Sequence, residues 1–231
     1  MAPYKASFYA DSAAEIEAAS IVIKPIVARF KPSRIVDLGT GAGSWLAAAR
    51  RHGVQTVHGL DGDWGAGHRV IDAEEFTAID LEQGLPDLGR FDMAISTEVL
   101  EHITVPASER AVAWLCQAAP IVLFSAAIPG QGGHRHINEA WQSHWAKLFG
   151  RHGFKAYDIV RPLIWSDERI PFWYRQNIVV MAHESVDVDA PSSDPDDLDL
   201  VHPELYTRKV KKLRSRSPKG VLRSIWRSFG G

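Results

Sequence analysis

A glycine-rich segment directly after a run of β-forming residues constrains the fold of this chain more than any other feature. Arg34-Ile-Val-Asp-Leu38 has the composition of a buried strand, and Gly39-Thr-Gly-Ala-Gly43 follows it before a helical stretch opens near Ser44. Alternate glycines let the backbone turn sharply and approach a ligand, because no Cβ stands in the way. A helix that begins there points backbone N–H groups into the same space. The segment predicts a strand–turn–helix unit that holds a small molecule, although a turn without a ligand would have the same pattern.

Short β-rich runs alternate with longer helical runs along most of the chain. This alternation predicts a mostly parallel sheet with helices on both faces, and such sheets bind ligands at the carboxyl ends of their strands. The predicted strands are 34–38, 56–60, 76–80, 91–95, 121–124, 156–160 and 177–181. The predicted helices are 12–29, 44–52, 106–117 and 138–152, and 161–176 is predicted to be irregular. Ser12 and Glu15 have the spacing of a capping box at the start of the first helix.

Charge divides the chain into three parts. The 231 residues are 45% hydrophobic with a net charge of −2, which suits one globular domain and disfavours a uniformly basic nucleic-acid binder. Residues 184–206 contain eight acids and no Lys or Arg, whereas residues 207–231 contain nine Lys or Arg and no acid. We therefore predict a domain over 1–183, an exposed acidic linker over 184–206 and a basic amphipathic tail over 207–231.

Cysteine content and hydropathy bear on the compartment. Cys116 is the single cysteine, so a disulfide framework within the chain and a Cys-based zinc site are both excluded. A basic-then-apolar leader is not found at the start, and no apolar run reaches the roughly 18 residues of a membrane span. These observations predict a cytoplasmic protein without a membrane span.

The glycine segment differs from a dinucleotide fingerprint. Its pattern is G-x-G-x-G with Asp37 two residues before the first glycine, rather than G-x-G-x-x-G. This arrangement resembles motif I of the class I S-adenosylmethionine-dependent methyltransferases. An acid suits a ligand with an ammonium and a sulfonium group better than one with a pyrophosphate. The resemblance implies a Rossmann-like, seven-stranded α/β fold and S-adenosylmethionine as co-substrate, held by Asp37, Gly39, Gly41 and Gly43.

Three later segments resemble further motifs of this family, in the expected order. In the family, an acid at the end of the second strand holds the ribose hydroxyls, and Asp61 matches it. Trp64 is a candidate to lie on the adenine, or else a core or surface residue. Asp80, followed by Leu81, resembles the acid that accepts from the adenine amino group. Ser96 lies in the fourth-strand segment that borders the methyl donor.

The run Glu98-Val-Leu-Glu101-His102 is a candidate metal site. If the run is helical, Glu98, Glu101 and His102 share one face, where their oxygens and nitrogen suit a divalent cation such as Mg²⁺. Similar runs occur in metal-using methyltransferases and in relatives where they only support the fold. A metal near the acceptor would lower the pKa of its hydroxyl. The alternative is a buried network that orients the cofactor pocket.

Two histidines are candidates for the general base. His136 follows the glycine-rich stretch 130–133 beyond the fifth strand and is also a candidate to complete the metal set. His144 is predicted to share one helical stripe with Trp141 and Trp145. Imidazole titrates near neutrality, so either histidine can accept a proton at physiological pH. The alternative for each is a packed or solvated histidine.

The acceptor prediction depends on a narrower resemblance. The aromatic and charged side chains of 161–176 suit saccharide recognition or a dimer interface. Gln131-Gly-Gly133, His136-x-Asn138-Glu139 and the 201–206 segment resemble bacterial methyltransferases of saccharide modification, of the mycobacterial methylmannose-polysaccharide type. The resemblance implies O-methylation of a saccharide hydroxyl, with a mannoside as one candidate.

Other acceptors and partners stay open. A phenolic small molecule or an RNA terminus is an alternative acceptor, although the acidic body makes nucleic acid an unfavoured partner. A non-catalytic Rossmann-like binding module is the alternative of a different class. A homodimer would form through 161–176 or through the basic tail, which could instead contact an anionic surface.

Overall fold

The structure is a computed structural model that describes residues 12–216. Residues 217–231 of the predicted tail lie outside the described residues, as does the side chain of Trp64. The strands are β1 Arg34–Leu38, β2 Thr56–Asp61, β3 Phe76–Ala78, β4 Met93–Thr97, β5 Ile121–Ser125, β6 Phe154–Tyr157 and β7 Val179–His183. The helices are α1 Ser12–Phe30, α2 Ser44–Arg51, α3 Val105–Ala118, α4 Gln142–Gly150, α5 Arg161–Ile164, α6 Phe172–Asn177 and α7 Pro203–Arg216.

The seven strands form one sheet in the order β3-β2-β1-β4-β5-β7-β6. Strands β1 to β5 pair in parallel, whereas β7 runs antiparallel to both β5 and β6. Every predicted strand is present, so the predicted mostly parallel sheet is confirmed. The strand order reverses between β1 and β4, and the loops at the carboxyl ends of these strands therefore border a crevice.

Apolar side chains cover both faces of the sheet. Along β1, Ile35 packs into one cluster with Ile23 of α1 and Leu46 of α2. Val36 points the other way, into a cluster that includes Leu115 of α3. Because both faces are buried, the strands are continuous apolar runs rather than alternating ones. Among the described residues, no helix is both long and apolar enough to cross a membrane.

The structure differs from the predicted linker at 184–206. The described part of the chain divides into two compact units, residues 12–199 and residues 200–216. Val188 and Leu198 are buried in the two core clusters, and the carboxylate of Asp199 accepts hydrogen bonds from Ser143 at the start of α4. The segment 184–199 is therefore part of the first unit rather than an exposed linker, because its few apolar residues are all used in packing.

Candidate active site

The glycine turn between β1 and α2 is tightly built. Gly39 has φ +81°, and a Cβ at this position would clash with the side chain of Val99. Gly41 has φ +56°, and no heavy atom lies within 4 Å of the place where its Cβ would be. Gly39 is therefore required by packing, whereas Gly41 leaves the backbone open to the space in front of the turn.

Asp61 closes this turn from the end of β2. Its Oδ2 accepts a hydrogen bond from the Gly41 N–H at 2.7 Å, and its Oδ1 accepts one from the Gly62 N–H at 2.6 Å. Burial raises the pKa of Asp61 above its ordinary value, although these two hydrogen bonds oppose the shift. The predicted ribose-binding acid thus lies against the open side of the glycine turn.

Asp37 lies in β1 and is 1% exposed. Its Oδ2 has no hydrogen-bond partner among the described residues. Burial raises the pKa of Asp37 to about 8, the nearby side chain of Thr40 opposes the shift, and the negative charges of Asp61 and Glu15 add to it. A buried carboxylate with an unsatisfied oxygen is costly unless a cation or a donor meets it, so this position fits a positively charged ligand.

Glu15 of α1 is the third acid at the turn. Sequence spacing predicts a capping box with Ser12, whose side chain lies outside the described residues. In the structure the Oε2 of Glu15 accepts a hydrogen bond from Ser44 Oγ at 2.9 Å. Its charge also contributes to the raised pKa of Asp37. Sequence reasoning missed this role because Ser44 lies 29 residues further along the chain.

The other predicted cofactor residues lie in the turn itself, after β3 or within β4. Gly43 has φ +89° and precedes the first residue of α2. Asp80 is exposed beyond β3, where its Oδ1 accepts from the Glu82 N–H at 3.0 Å, and Leu81 is half-buried. Ser96 is fully buried in β4, and its hydroxyl has no partner among the described residues. No hydrogen bond within residues 12–216 joins Asp80 or Ser96 to the glycine turn.

The prediction that Glu98, Glu101 and His102 share a helical face is wrong. Glu98 has φ +55°, which is incompatible with a helix, and only Leu100–His102 forms a short 3₁₀ turn. The carboxylate of Glu98 instead accepts hydrogen bonds from Asn177 at 3.0 Å and from Gln131 at 3.1 Å. These amide side chains were not predicted as site residues, and they connect Glu98 to α6 and to the loop after β5.

Glu101 and His102 nevertheless meet a second histidine. One ligand atom each of Glu101, His102 and His136 lies within 4.8 Å of the others. The rings of His102 and His136 contact edge-on, with their centroids 4.8 Å apart. Glu101 is fully buried, and its Oε2 has no partner among the described residues. The predicted completion of the metal set by His136 thus agrees in position with the structure.

The protonation of these groups follows from burial. Burial raises the pKa of Glu101 well above its ordinary value, and the charge of Glu98 raises it further. The pKa of Glu98 is also raised by burial, although the amide donors oppose the shift. Burial, together with repulsion from His136, lowers the pKa of His102 to about 4. His102 is therefore a neutral imidazole near pH 7, which is the form that binds a metal.

Glu139 holds His136 in place. Its Oε1 is 2.9 Å from His136 Nδ1, and its two oxygens accept from the Gly130 and Gly132 N–H groups at 2.7 Å each. Burial alone would raise the pKa of Glu139, but these hydrogen bonds outweigh it and lower the pKa. An ionised carboxylate only accepts, so Nδ1 of His136 must donate, and in the neutral imidazole Nε2 carries the lone pair.

His144 lies apart from this cluster. Helix α4 begins at Gln142, so Trp141 precedes the helix, and the predicted stripe of Trp141, His144 and Trp145 is wrong. The helix starts late because the Ile137 and Asn138 N–H groups donate to the Glu101 carbonyl and keep this stretch extended. Trp145 is fully buried, whereas His144 is exposed with its ring edge-on to Trp145.

The aromatic segment 161–176 contributes less surface than its composition indicates. Phe172 and Tyr174 are buried, and Tyr174 contacts Trp45 edge-on at 5.2 Å between ring centroids. Trp165 and Trp173 are half-buried. These two tryptophans therefore keep some accessible ring surface.

Comparisons with known proteins agree with this geometry. A family model described as a methyltransferase domain matches residues 13–128, half of the chain. No curated protein matches the sequence.

Solved structures with the same fold include three methyltransferases. The amino pentose methyltransferase CalS10 of Micromonospora echinaspora has a TM-score of 0.58 at 14% identity, covering 78% of this chain and 98% of that one. Magnesium protoporphyrin IX methyltransferase of Synechocystis PCC 6803 has a TM-score of 0.54 at 18% identity, covering 74% of this chain and 84% of that one. The small RNA methyltransferase HEN1 has a TM-score of 0.52 at 14% identity, covering 75% of this chain and 25% of that one. At such identities the likeness concerns the fold alone, and the predicted Rossmann-like methyltransferase fold is confirmed.

Proposed function

Since the chain belongs to the methyltransferase-domain family, we propose that it transfers the methyl group of S-adenosylmethionine to a hydroxyl group of a saccharide. The single observation that carries the donor assignment is the buried, unpaired Oδ2 of Asp37 beside the open Gly41 turn. Asp61 and Glu15 add negative charge at the same place. A donor with an ammonium and a sulfonium group supplies the positive charge that these carboxylates lack.

The donor residues divide by role. Asp37 and Glu15 provide the negative field at the turn, and the Gly41 backbone leaves room for close approach. Asp61 is proposed to accept from the ribose hydroxyls, and Asp80 from the adenine amino group. The solved structures of CalS10 and of magnesium protoporphyrin IX methyltransferase contain S-adenosylmethionine and S-adenosylhomocysteine, respectively, which supports the same donor here.

The acceptor side is proposed to hold a divalent cation. Glu101, His102 and His136 would be its ligands, with Glu98 beside them, and the orphaned Oε2 of Glu101 fits such a role. A bound cation would lower the pKa of an acceptor hydroxyl. Two imidazoles and a carboxylate suit Mn²⁺ at least as well as Mg²⁺, because Mg²⁺ prefers an all-oxygen shell.

When no cation occupies its Nε2, we propose that His136 removes the acceptor proton. Its Nδ1 donates to Glu139, so its Nε2 is available either to accept a proton or to bind a cation. Transfer of the methyl carbon from sulfur to the hydroxyl oxygen releases S-adenosylhomocysteine and one proton, which a neutral imidazole can take up. His144 stays a prediction for the base, although its exposed position on α4 supports it less.

A saccharide acceptor is favoured by chemistry and by one structural neighbour. A sugar hydroxyl is a weak nucleophile, and a base or cation beside it is more necessary than for a phenol. Trp165 and Trp173 keep accessible ring surface that can stack on sugar C–H faces. CalS10 is described as an amino pentose methyltransferase, which supports a sugar acceptor on this fold. The finer resemblance to methylmannose-polysaccharide enzymes stays a prediction.

An acceptor screen with labelled donor tests this proposal. Saccharides including mannosides, phenols and RNA with free termini are incubated with full-length protein, and the products are identified by mass. We expect methylated saccharide, and loss of product in His136→Ala with donor affinity unchanged. Methylation of only phenols or RNA would reject the saccharide assignment. Absence of donor binding in calorimetry would instead favour a non-catalytic binding module.

The cation is tested separately. Exhaustive chelation should remove activity, and Mn²⁺ or Mg²⁺ should restore it. Binding of Mn²⁺ measured by electron paramagnetic resonance should be lost in His102→Ala and kept in His144→Ala, which is the matched control. Full activity after chelation would reject the cation and leave His136 as a base alone.

A further inference from the structure

Helix α7 carries an apolar stripe that is exposed at Tyr206 and Leu213 and half-buried at Val210. Tyr206, Val210 and Leu213 stand at positions i, i+4 and i+7, a spacing that places them on one face of a helix. Tyr206 is 65% exposed and Leu213 is 69% exposed, the largest fraction of any large apolar residue in the described part of the chain. An exposed apolar stripe on an otherwise polar helix indicates a contact surface.

Positive charge surrounds this stripe. Helix α7 contains the basic residues Arg208, Lys209, Lys211, Lys212, Arg214 and Arg216. Its only acid, Glu204, pairs with Arg208 at 2.6 Å. At about 100° per residue, Lys209 borders one side of the stripe and Arg214 the other. Lys211 and Lys212 are exposed. The helix therefore combines an apolar face with basic borders.

The sequence after α7 has the same composition. Residues 217–231 lie outside the described residues, and they contain Lys219, Arg223 and Arg227 but no acid. Ile225, Trp226 and Phe229 alternate with these cations. Aromatic and basic residues in combination are typical of segments that lie at a membrane interface.

We propose that α7 docks on a membrane surface that is rich in anionic lipid. Tyr206, Val210 and Leu213 would lie at the boundary of the acyl chains, and the bordering Lys209 and Arg214 near the headgroup phosphates. Charge alone would suffice for a nucleic-acid backbone, which gives an exposed leucine no apolar partner. A second copy of α7 would present the same positive charge and repel the first. The apolar stripe and the basic borders together therefore favour lipid.

Vesicle binding of full-length protein tests this proposal independently of methyl transfer. We expect co-sedimentation with phosphatidylcholine vesicles that contain phosphatidylserine, weakening as salt is added, and little binding to phosphatidylcholine alone. Leu213→Ser should weaken binding by roughly tenfold. Lys209→Gln with Arg214→Gln should weaken it by about 25-fold, since each basic residue near the surface contributes about fivefold.

Matched controls separate α7 from general effects. Leu163→Ser removes an apolar side chain that is 65% exposed on α5 and should leave binding unchanged. Arg51→Gln with Lys155→Gln removes two exposed cations outside α7 and should also have no effect. Equal binding to neutral vesicles would overturn the proposal. So would tighter binding to RNA than to vesicles, or a dimer that Leu213→Ser dissociates.

Discussion

The half-buried Asp61 and the buried Asp37 at the glycine turn have different hydrogen-bond partners and therefore different roles. Asp61 satisfies both oxygens with backbone N–H groups, so it shapes the turn as well as facing the ligand space. Asp37 leaves Oδ2 unpaired. Asp61 therefore fixes the backbone geometry of the site, and Asp37 supplies an electrostatic interaction for the ligand.

Replacing Asp61 with alanine should weaken S-adenosylmethionine binding by about 1–3 kcal/mol, because charged hydrogen bonds to the donor and the anchor of Gly41 are both lost. Isothermal titration calorimetry measures this change. Asp87→Ala is the control, since Asp87 is exposed and accepts only from the Gly89 N–H. Equal donor affinity in wild type and Asp61→Ala would contradict the ribose assignment.

Glu139 acts through His136. Glu139→Gln keeps the size of the side chain but removes the charge that fixes the Nδ1 proton of His136. Because partners of this kind typically contribute about 10- to 100-fold, we expect a loss of turnover in that range with unchanged donor affinity. Steady-state kinetics and calorimetry separate these quantities. Glu109→Gln on the exposed face of α3 is the control, and a similar loss in that variant would indicate a general effect.

At the scale of elements, hydrophobic pattern predicted the sheet well. The predicted β1 has the observed bounds, Arg34–Leu38, whereas β4 lies two residues later than predicted. The pattern failed where long-range hydrogen bonds decide the backbone. Asn138 was predicted as helical, but its N–H donates to the Glu101 carbonyl 37 positions earlier, and α4 begins only at Gln142. Such pairings leave no periodic signal in the sequence.

The residues of the candidate site likewise differ in whether the sequence could predict them. Asp37, Gly41 and Asp61 could be found from local spacing, because a strand–turn–helix unit concentrates them. Glu139 and Asn177 could not, since their roles depend on contacts between distant segments, such as Asn177 to Glu98 across 79 positions. The positive φ of Glu98 likewise arises from these tertiary contacts rather than from local preference.

Arg161 connects three elements of the first unit. Its guanidinium makes two hydrogen bonds of 2.8 Å to Asp158 after β6, and it donates to the carbonyls of Gln176 at 3.1 Å and Leu198 at 2.8 Å. Arg161 thereby joins the segment before α5 to α6 and to the acidic segment 184–199. Because Arg161 is buried, no water can replace its guanidinium as the hydrogen-bond donor to these groups.

Arg161→Ala should lower the free energy of unfolding by about 3–5 kcal/mol, because Asp158 and two buried carbonyls lose their donor. Arg169→Ala is a matched control, since Arg169 also makes two hydrogen bonds to one aspartate, Asp167, but its side chain is 67% exposed against 1% for Arg161. We expect a much smaller loss there, because solvent screens an exposed ion pair. Urea unfolding measures both, and equal losses would show that burial does not set the difference.

Across the whole molecule, the net charge of −2 arises from segments of opposite charge that have different environments. Within the first unit, Asp196 pairs with Lys147 at 2.6 Å, and Asp199 accepts hydrogen bonds from Ser143. The cations of α7 mostly face water. The net charge of the chain therefore does not predict the binding partner of either segment. The local charge of each segment determines which partner it can bind.

The buried carboxyl of Asp37 should make the stability of the ligand-free protein fall as pH rises. Its pKa is about 8 in the folded chain against an ordinary value of 3.8, so between these values the folded chain holds a proton that the unfolded chain has released. The free energy of unfolding then decreases with pH by at most about 1.4 kcal/mol per pH unit from this group.

Asp37→Asn removes this contribution. Urea unfolding at several pH values from about 5 to 8 should therefore show a free energy of unfolding that depends less on pH than that of wild type. Asp87→Asn should keep the wild-type slope. Saturating S-adenosylmethionine should also flatten the wild-type profile, because a cation beside Asp37 favours its ionised form; identical slopes for wild type and Asp37→Asn would contradict the assignment.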